Sequence, residues 1–580
     1  MTDLRCLRRR YRTGDASANE VVAAACARVA GHDDPAVFTA LVPPDQAEVA
    51  ARDLPPGGLL FGVPVAVKDN IDVAGLPTSA GCPSFAEARG RAARSADVVR
   101  SLERAGAVVV AKANLDQFAT GLVGSRSPYG TPRNPHGAGW IPGGSSSGSA
   151  VAVAAGLVPV ALGTDTAGSG RVPAALCGIV GLKAAPGLIS TCGVLPAVAS
   201  LDCVSVFATS VADAAATLGV LAPRIPAGAH PLGPVRIGVP AEPLDLSGDL
   251  AAAATYQAAL DRLADAGHRP VPVDVEPFLE AGRLLYDPDG PWLRERFDSV
   301  GAFLQGSPLD ADVTVSAIIR GAAEQDPARS EQVRRRLQVL RQVTLAAWST
   351  IDALALPTTP TTWTVNEVAE DPSGRNSALG TFTTFANLLD LAAISVPSGL
   401  QRQGMPAGLQ LLAPAGGEGL LVELAAGFEA ATGSIHPVGS ASGTIGQADT
   451  VAIAVVGAHL RGQPLEWQLL DLGARFVRQT ATSPDYRLLV VPGATPAKPG
   501  LVRTAGGGAP IEVEVWELPG PEAFGRFVAT IPAPLGMGRV TLAGGSEVAG
   551  FLAEPGGLTD AEDITSFGGW RAWLGRSVAP

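Results

Sequence analysis

Residues 143–173 read GGSSSGSAVAVAAGLVPVALGTDTAGSGRVP, two glycine- and serine-rich turns on either side of an apolar run. Ser145 lies in the first turn and Ser169 in the second. Glycine permits backbone conformations and close approaches that other residues do not, so consecutive N–H groups of such a turn can converge on an anion. The stretch therefore predicts two serine hydroxyls beside a backbone that can bind negative charge.

A Gly/Ser run can also be a flexible linker without any site. The sequence after Ser145 argues against this, because residues 151–162 form an Ala/Val block typical of a short helix and then VPVAL, typical of a strand. Upstream, residues 61–70 read FGVPVAVKDN, a strand pattern with Lys68 near its end. Lysine beside apolar sequence usually keeps its amine in solvent. Next to two serine turns, a buried lysine that acts on a serine is the alternative.

These elements together resemble the amidase signature family. The family has a lysine at a V-K-D-N-like strand end, a GGSS turn, and a second serine in GTD-x-x-G-S. Lys68, Ser145 and Ser169 match in order, and the two serines are 24 positions apart, as in the family. The chain is identified as a member on these motifs. The resemblance implies an α/β fold with a mixed central sheet flanked by helices.

The resemblance also implies a mechanism. Ser169 would be the nucleophile, and Ser145, which follows a cis peptide bond in the family, would relay its proton to Lys68. A serine attacks only when a base takes its proton, and a lysine is a base only when neutral, which burial favours. The implied oxyanion hole consists of the N–H groups of Thr166, Ala167, Gly168 and Ser169. No histidine, metal ion or cofactor is required for this step.

The carboxy-terminal part of the chain differs from the rest in composition and in the pattern of apolar and polar residues. Residues 433–450 are rich in Gly and Ser and predict a linker, whereas IEVEVWELP and EVAGFL predict antiparallel strands. The phrases VGAHLRGQPL, PGLVR, IPAPLGMG and DITSFGGWRAWL resemble the additional domain of the allophanate hydrolases. We therefore expect an amidase domain at 1–435, a linker at 436–450, and at 451–580 a small, mainly β domain that resembles the γ-glutamyl cyclotransferase fold.

The same resemblance implies the substrate, allophanate (urea-1-carboxylate), a small planar anion. An arginine can bind its carboxylate with two parallel hydrogen bonds. Residues 285–296, LYDPDGPWLRER, match the family's substrate-binding stretch and assign this role to Tyr286 and Arg296. The Asp-Pro after Tyr286 is an insertion relative to the usual spacing, so Arg294 is the alternative. Gly124, in the family-like segment 114–130, is the third implied substrate-binding residue.

His459, in the GAHL motif, is the implied catalytic residue of the carboxy-terminal domain, where it would assist decarboxylation of the first product. A histidine after a strand is more often structural. Cyclotransferase activity is not implied, because GAHL replaces the glycine turn that defines that fold's site. The alternative is that this domain serves only in assembly.

Three functions remain open at this point: an allophanate hydrolase, a broad amidase, and a partner-binding subunit of the amidotransferase type. For the first, the resemblance implies a functional link to a separate biotin-dependent urea carboxylase, and a homodimer. A carboxylate-reading pocket should reject neutral amides, which separates the first function from the second. Ammonia release by the purified chain would exclude the third.

The composition of the chain argues against several classes of binding partner. The net charge is −12 without a basic block, which argues against nucleic acid and anionic membranes. No apolar run is long enough to cross a bilayer, and the arginine-containing amino terminus lacks the apolar stretch of a secretory signal, so we expect a cytoplasmic protein. The six cysteines lack paired C-x-x-C spacing, which predicts buried reduced thiols rather than zinc.

Periodicity predicts the remaining elements. Residues 14–31 carry a Ser/Asn cap, an amphipathic period and a final glycine, and predict a helix. Alternating β-branched and Ala-rich runs over residues 60–210 predict α/β structure. Residues 245–346 have a largely helical period and predict a helical cover over the sheet, and residues 351–414 return to an α/β pattern.

Overall fold

The structure is a computed structural model. It describes residues 3–52, 54, 57–222, 234–432, 451–472, 474–493, 497–504, 506–518, 520–531, 533–543, 545–554, 558 and 560–575. The chain divides into two compact units, residues 1–440 and residues 441–580. The predicted linker at 436–450 lies outside the described residues.

The described residues of the first unit contain eleven strands that form one sheet. The strands are β1 (Phe38–Leu41), β2 (Pro64–Lys68), β3 (Val108–Ala113), β4 (Val160–Asp165), β5 (Val180–Lys183), β6 (Cys203–Ala208), β7 (Arg236–Pro240), β8 (Arg269–Val273), β9 (Ala353–Pro357), β10 (Leu391–Leu400) and β11 (Pro406–Pro414). Their order across the sheet is β1-β3-β2-β4-β6-β5-β10-β11-β9-β7-β8. Strand β2 is parallel to β3 and β4, whereas β4 is antiparallel to β6, so the sheet is mixed.

Helices flank this sheet. They are α1 (Leu4–Thr13), α2 (Ala18–Ala30), α3 (Pro44–Arg52), α4 (Pro83–Arg89), α5 (Asp97–Arg104), α6 (Ser147–Ala154), α7 (Val172–Leu176), α8 (Val211–Leu221), α9 (Leu250–Asp265), α10 (Glu276–Arg283), α11 (Pro291–Gln305), α12 (Val313–Gly321), α13 (Pro327–Ala347), α14 (Val365–Glu370), α15 (Gly374–Leu379), α16 (Phe385–Leu388) and α17 (Glu418–Thr432). The predicted α/β fold with a mixed central sheet is confirmed.

The alternation of side chains along β2 positions the site. Val65 and Val67 pack into one hydrophobic cluster, and Ala66, on the other face, packs into a second cluster with the alanines and valines of α6. Because side chains alternate with a period of two, Lys68 lies on the same face as Ala66. The strand pattern therefore directs the lysine toward α6, whose preceding turn carries Ser145.

Several sequence-based expectations hold in detail, and two do not. Helix α2 begins after Ser17, which forms a capping box with Glu20, and Gly31 follows its last residue as the C-cap. The predicted helical cover at 245–346 is interrupted by the strand β8, which pairs with β7 at the edge of the sheet. All six thiols are free, but two are not buried: Cys6 is half-buried, and Cys192 is exposed in a surface turn.

The second unit has its own core around a five-stranded sheet of order β13-β16-β12-β18-β17 and a two-stranded sheet, β14-β15, in its described part. Its strands are β12 (Val451–Val455), β13 (Arg475–Ala481), β14 (Tyr486–Val490), β15 (Pro499–Arg503), β16 (Glu512–Leu518), β17 (Leu535–Thr541) and β18 (Glu547–Ala553). Its helices are α18 (Glu466–Asp471), α19 (Gly520–Val528) and α20 (Trp570–Leu574). The predicted mainly β character of this unit is confirmed.

Candidate active site

The candidate site lies where the parallel strands β2 and β4 end. Val67 pairs with Leu162, so Lys68, the last residue of β2, comes level with Gly163, next to Thr164 and Asp165 at the end of β4. The carboxyl ends of parallel strands meet at one edge of a sheet, where loops and helix starts can converge. Sequence segments that are almost a hundred residues apart are thereby brought to one place.

Lys68 is fully buried and makes two hydrogen bonds. Its Nζ donates to Ser145 Oγ at 2.8 Å and to Thr164 Oγ1 at 2.8 Å. Burial lowers the pKa of Lys68 from 10.5 to about 7, and the carboxylates of Asp116, Asp202 and Asp165 oppose this effect. A lysine with such a pKa is substantially neutral near pH 7 and can accept a proton.

Both serines are buried in their turns. Ser145 has no exposed surface and Ser169 is 3 % exposed. The Gly144–Ser145 peptide bond is cis, as the resemblance implies. Among the described residues, the hydrogen bonds of Ser145 Oγ do not include one to Ser169 Oγ. Of the proton path from Ser169 to Lys68, the step between Ser145 and Lys68 is therefore in place as a hydrogen bond. Catalytic hydrogen bonds such as the one expected between the two serines often tighten only when substrate is bound.

The turn that carries Ser169 (residues 166–171, the Ser169 turn) is wrapped around a buried carboxylate. Asp165 accepts two hydrogen bonds of 3.0 Å from the guanidinium of Arg171, and both side chains are fully buried. Asp165 also accepts the N–H of Gly168 at 2.8 Å and the N–H of Gly170 at 3.0 Å. The Asp165 carboxylate therefore holds the Ser169 turn in place through these four hydrogen bonds.

This arrangement corrects one predicted donor. The N–H of Gly168 is bonded to Asp165, so it is not free for the oxyanion hole. Within the described part of the chain, the hydrogen bonds do not use the N–H groups of Thr166, Ala167 or Ser169. The side chain of Thr166 donates to Asp202 at 2.5 Å, which holds this end of the turn. Three N–H groups remain available to an oxyanion.

A cavity of about 410 Å³ opens at the Ser169 turn. Ser169, Thr166, Tyr286 and Arg296 all contribute to its wall. Arg296 Nη1 donates to Thr120 Oγ1 at 2.8 Å, and burial lowers the pKa of this guanidinium. Tyr286, which is 40 % exposed, borders the same cavity. The two residues that the sequence motif paired are thus brought to the predicted nucleophile.

The alternative arginine lies elsewhere. Arg294 is exposed, pairs with Asp298 at 2.9 Å one turn further along α11, and stacks on Phe297. The helix α11 begins at Pro291, after the Asp-Pro insertion, and its Arg296 borders the cavity. The geometry therefore favours Arg296 over Arg294.

Gly124 does not border this cavity in the structure. It is buried behind it with a φ of +77°, and its N–H donates to Asp116 Oδ2 at 3.0 Å. A Cβ at this position would lie 2.4 Å from the carbonyl oxygen of Gly143. Glycine is therefore required for the close packing of the two loops, and substrate contact by Gly124 is not what this geometry supports.

Sequence reasoning missed several residues of the site. Thr164, the second hydrogen-bond partner of Lys68, lies in the quoted GTD motif. A hydroxyl group at the end of a buried strand was the signal that could have indicated this role. Thr120 and Arg126 also border the cavity, and both belong to the segment 114–130. Arg126 directly follows the small and apolar run 119–125, and a charged residue at that point was the available signal.

His459 lies in the second unit, in the short 3-10 helix Gly457–His459 that follows β12. Its Nε2 is 2.8 Å from Gln468 Oε1, and its ring stacks on Phe551 at 5.2 Å. Burial lowers its pKa, while the hydrogen bond to Gln468 opposes this. A cavity of about 230 Å³ is bordered by His459, Gln468 and Lys498. The histidine thus faces a space that a small molecule could enter.

No group of three or more His, Cys, Asp or Glu in the described residues is arranged to hold a metal ion. Across the same described residues, no helix is both long enough and apolar enough to cross a membrane.

Two family models match the chain. The model described as Amidase matches residues 20–422, which include Lys68, Ser145, Ser169 and Arg296. The chain belongs to the amidase family. The model described as Allophanate hydrolase C-terminal domain matches residues 451–575 of this amidase. The combination of an amidase domain with this second domain confirms the resemblance seen in the sequence.

Known relatives of this amidase agree with the two matches. It is 40 % identical to urea amidolyase of Saccharomyces cerevisiae (strain ATCC 204508 / S288c) over 551 residues, which cover 89 % of this chain and 30 % of the yeast protein. It therefore spans about a third of that relative's length. It is 35 % identical to a glutamyl-tRNA(Gln) amidotransferase subunit of Prochlorococcus marinus (strain MIT 9303), and this match covers 68 % of this chain and 88 % of the relative.

The structure of this amidase is similar to the solved structure of Kluyveromyces lactis allophanate hydrolase. The TM-score is 0.71 at 37 % sequence identity, and the match covers 99 % of this chain and 98 % of the other. The fold and the membership in the amidase-family hydrolases rest on this match and on the family models together.

Proposed function

We propose that this amidase hydrolyses the terminal amide of allophanate. One observation carries the proposal: the cavity at Ser169 also presents the guanidinium of Arg296 and the ring of Tyr286. A small substrate with an amide at one end and a carboxylate at the other would be held between the serine and the arginine. The similarity to K. lactis allophanate hydrolase supports this choice of substrate.

The first step is acylation of Ser169. Neutral Lys68 takes the proton of Ser145, which takes the proton of Ser169 as the serine oxygen attacks the amide carbonyl carbon. The N–H groups of Thr166, Ala167 and Ser169 stabilise the negative oxygen of the tetrahedral intermediate. The C–N bond then breaks, the protonated lysine returns its proton through Ser145 to the leaving nitrogen, and ammonia departs.

The second step is hydrolysis of the acyl-enzyme. Water attacks the ester carbon, and its proton follows the same path to Lys68 and back to Ser169. The product is N-carboxycarbamate, which loses carbon dioxide to give carbamate, and carbamate breaks down to ammonia and carbon dioxide. We assign assistance in this decarboxylation to His459 and its cavity in the second unit.

The substrate has to be supplied by carboxylation of urea. We propose a functional link to a biotin-dependent urea carboxylase, which is supported by the similarity of this chain to about a third of a urea amidolyase. A homodimer is the assembly we expect from the family resemblance.

The test compares two substrates on the purified full chain. Ammonia release is followed with allophanate and with malonamide, a neutral diamide of similar size. We expect rapid release from allophanate only. Equal rates on both would indicate a broad amidase, and no release from either would indicate a partner-binding subunit of the amidotransferase type.

A further inference from the structure

A second arginine borders the cavity that contains Ser169 and Arg296. Arg126 is 4 % exposed, and its side chain forms part of the same wall. It lies in the segment 114–130, where it directly follows the small and apolar residues 119–125. A guanidinium is costly to bury unless its donors and its charge are compensated, so the partners of Arg126 decide what it does.

The donors of Arg126 are only partly used by the protein. Nη1 donates to the carbonyl oxygen of Thr120 at 3.1 Å, and Nη2 donates to the carbonyl oxygen of Pro372 at 2.6 Å. A guanidinium has five N–H donors. Donors of Arg126 therefore remain beyond the two carbonyl bonds.

Thr120 joins the two arginines. Its carbonyl oxygen accepts from Arg126, and its hydroxyl oxygen accepts from Arg296 at 2.8 Å. Two guanidinium groups that are hydrogen-bonded to the same residue repel each other. The charge of Arg126 accordingly contributes to the lowered pKa of Arg296. The loop thus holds two like charges at one wall of the cavity.

The protein does not neutralise these charges with direct ion pairs. Among the described residues, neither Arg126 nor Arg296 forms a salt bridge with a carboxylate. Asp116 accepts the main-chain N–H groups of Gly124 and Arg126, and Asp202 accepts from Thr166 and from the N–H groups at 197–198. Asp116 interacts electrostatically with Arg126, and Asp202 with Arg296, without a direct ion pair in the described residues.

We propose that Arg126 and Arg296 form a two-arginine site that selects amides carrying a carboxylate, with Arg126 as a specificity-determining residue. This rests on the proposed function, in which Arg296 binds the carboxylate. The tetrahedral intermediate of such a substrate carries two negative charges, the carboxylate and the oxyanion, so two cations match it better than one. Arg126 acts by its charge and by holding Thr120, which orients Arg296.

The test uses two ligands that differ in one charge, malonamate and the neutral malonamide. Their binding to the full chain carrying Ser169→Ala is measured by calorimetry, with and without Arg126→Met. We expect Arg126→Met to weaken malonamate binding about tenfold or more and to change malonamide binding less than about twofold. Arg294→Met is the matched control, because it removes the same charge from the outer face of α11, and both affinities should stay unchanged.

Turnover of allophanate by the chain with native Ser169 separates the two hypotheses. A native chain that does not hydrolyse allophanate overturns the proposed function, while the two binding affinities still decide the role of Arg126. If Arg126→Met does not fold, Arg126→Lys replaces it: the charge is kept and the planar fork is lost, so malonamate binding should fall and malonamide binding should not. Equal losses for both ligands in the folded variant, or no loss for either, would overturn the two-arginine site.

Discussion

Lys68 Nζ and Ser145 Oγ lie 2.8 Å apart although 77 positions separate the two residues, and both side chains are fully buried. A buried lysine with only hydroxyl groups as hydrogen-bond partners is expensive as a cation. The pair therefore favours the neutral amine, and this is the state that can accept a proton from a serine.

Ser169→Ala should abolish amide hydrolysis without unfolding the chain, because it removes the attacking oxygen from a turn that Asp165 and Arg171 hold in place. Ser145→Ala and Lys68→Ala should each lose several orders of magnitude, since residues that act as one unit are strongly non-additive. Ser377→Ala, on the wall of the same cavity, is the control and should stay within a few-fold of native. Near-native turnover by Ser169→Ala would show that the nucleophile is another residue.

The acidic limb of the pH–rate profile should report Lys68. Burial lowers its pKa to about 7, so activity should fall as the pH drops through this value and the base becomes protonated. The measurement is kcat/KM for allophanate against pH. A limb centred well below pH 6 would instead indicate a carboxylate as the titrating group.

Lys68→Met should stabilise the fold at low pH. The folded-state pKa of about 7 is below the unfolded value of 10.5, so below pH 7 burial of the lysine costs about 5 kcal/mol, and this cost decreases as the pH rises from 7 toward 10.5. The hydroxyls of Ser145 and Thr164, left without their donor, would offset about 1–3 kcal/mol of the gain. The free energy of unfolding in urea at two pH values checks this.

Lys112 provides the contrast to that prediction. It is equally buried but pairs with Asp69 at 2.8 Å. Lys112→Met should destabilise the fold by about 3–5 kcal/mol, because it leaves a buried carboxylate without its partner. Opposite signs for the two lysines are expected, and stabilisation by both substitutions would contradict the ion-pair interpretation.

Arg296→Ala should raise KM for allophanate by about one to two orders of magnitude, the effect of losing a charge-assisted hydrogen bond to a carboxylate. A neutral amide should lose little. Arg294→Ala should leave both substrates unaffected, because its partner Asp298 lies with it on the exposed face of α11. A KM defect in Arg294→Ala instead would reassign the carboxylate site across the Asp-Pro insertion.

A chain ending at residue 440 should fold and release one ammonia from allophanate, because the first unit has its own hydrophobic clusters and the Lys68–Ser145–Ser169 set. His459→Ala in the full chain should keep this first step and slow the release of carbon dioxide. Both gases are followed early in the reaction. Unchanged time courses in both proteins would leave assembly as the role of the second unit, and aggregation of the shortened chain would mean that the units depend on each other.

The sequence motifs, through the family resemblance that they carry, predict the fold class, which the structure confirms, and the candidate site residues Lys68, Ser145 and Ser169, whose roles stay a prediction. The spacing of Lys68, Ser145 and Ser169, and the alternation along β2 that points Lys68 toward α6, have a period and an order, and such patterns can be read in one dimension. The strand β8 reads RPVPV: Val271 and Val273 alternate toward the core, but prolines are disfavoured within a sheet, so the strand could not be separated from the helices around it.

Which groups are free to act depends on tertiary contacts. The folded chain bonds the Gly168 N–H to Asp165, places Gly124 behind the cavity, puts Arg294 outside and Arg296 inside, and brings Arg126 next to Thr120. The orientation of the two arginines depends on contacts between distant segments: the bond from Arg296 to Thr120 spans 176 positions, and the bond from Arg126 to Pro372 spans 246. A sequence motif names the residue types that a reaction needs, but whether a donor is already occupied and where a charge is compensated are decided by neighbours that only folding brings together.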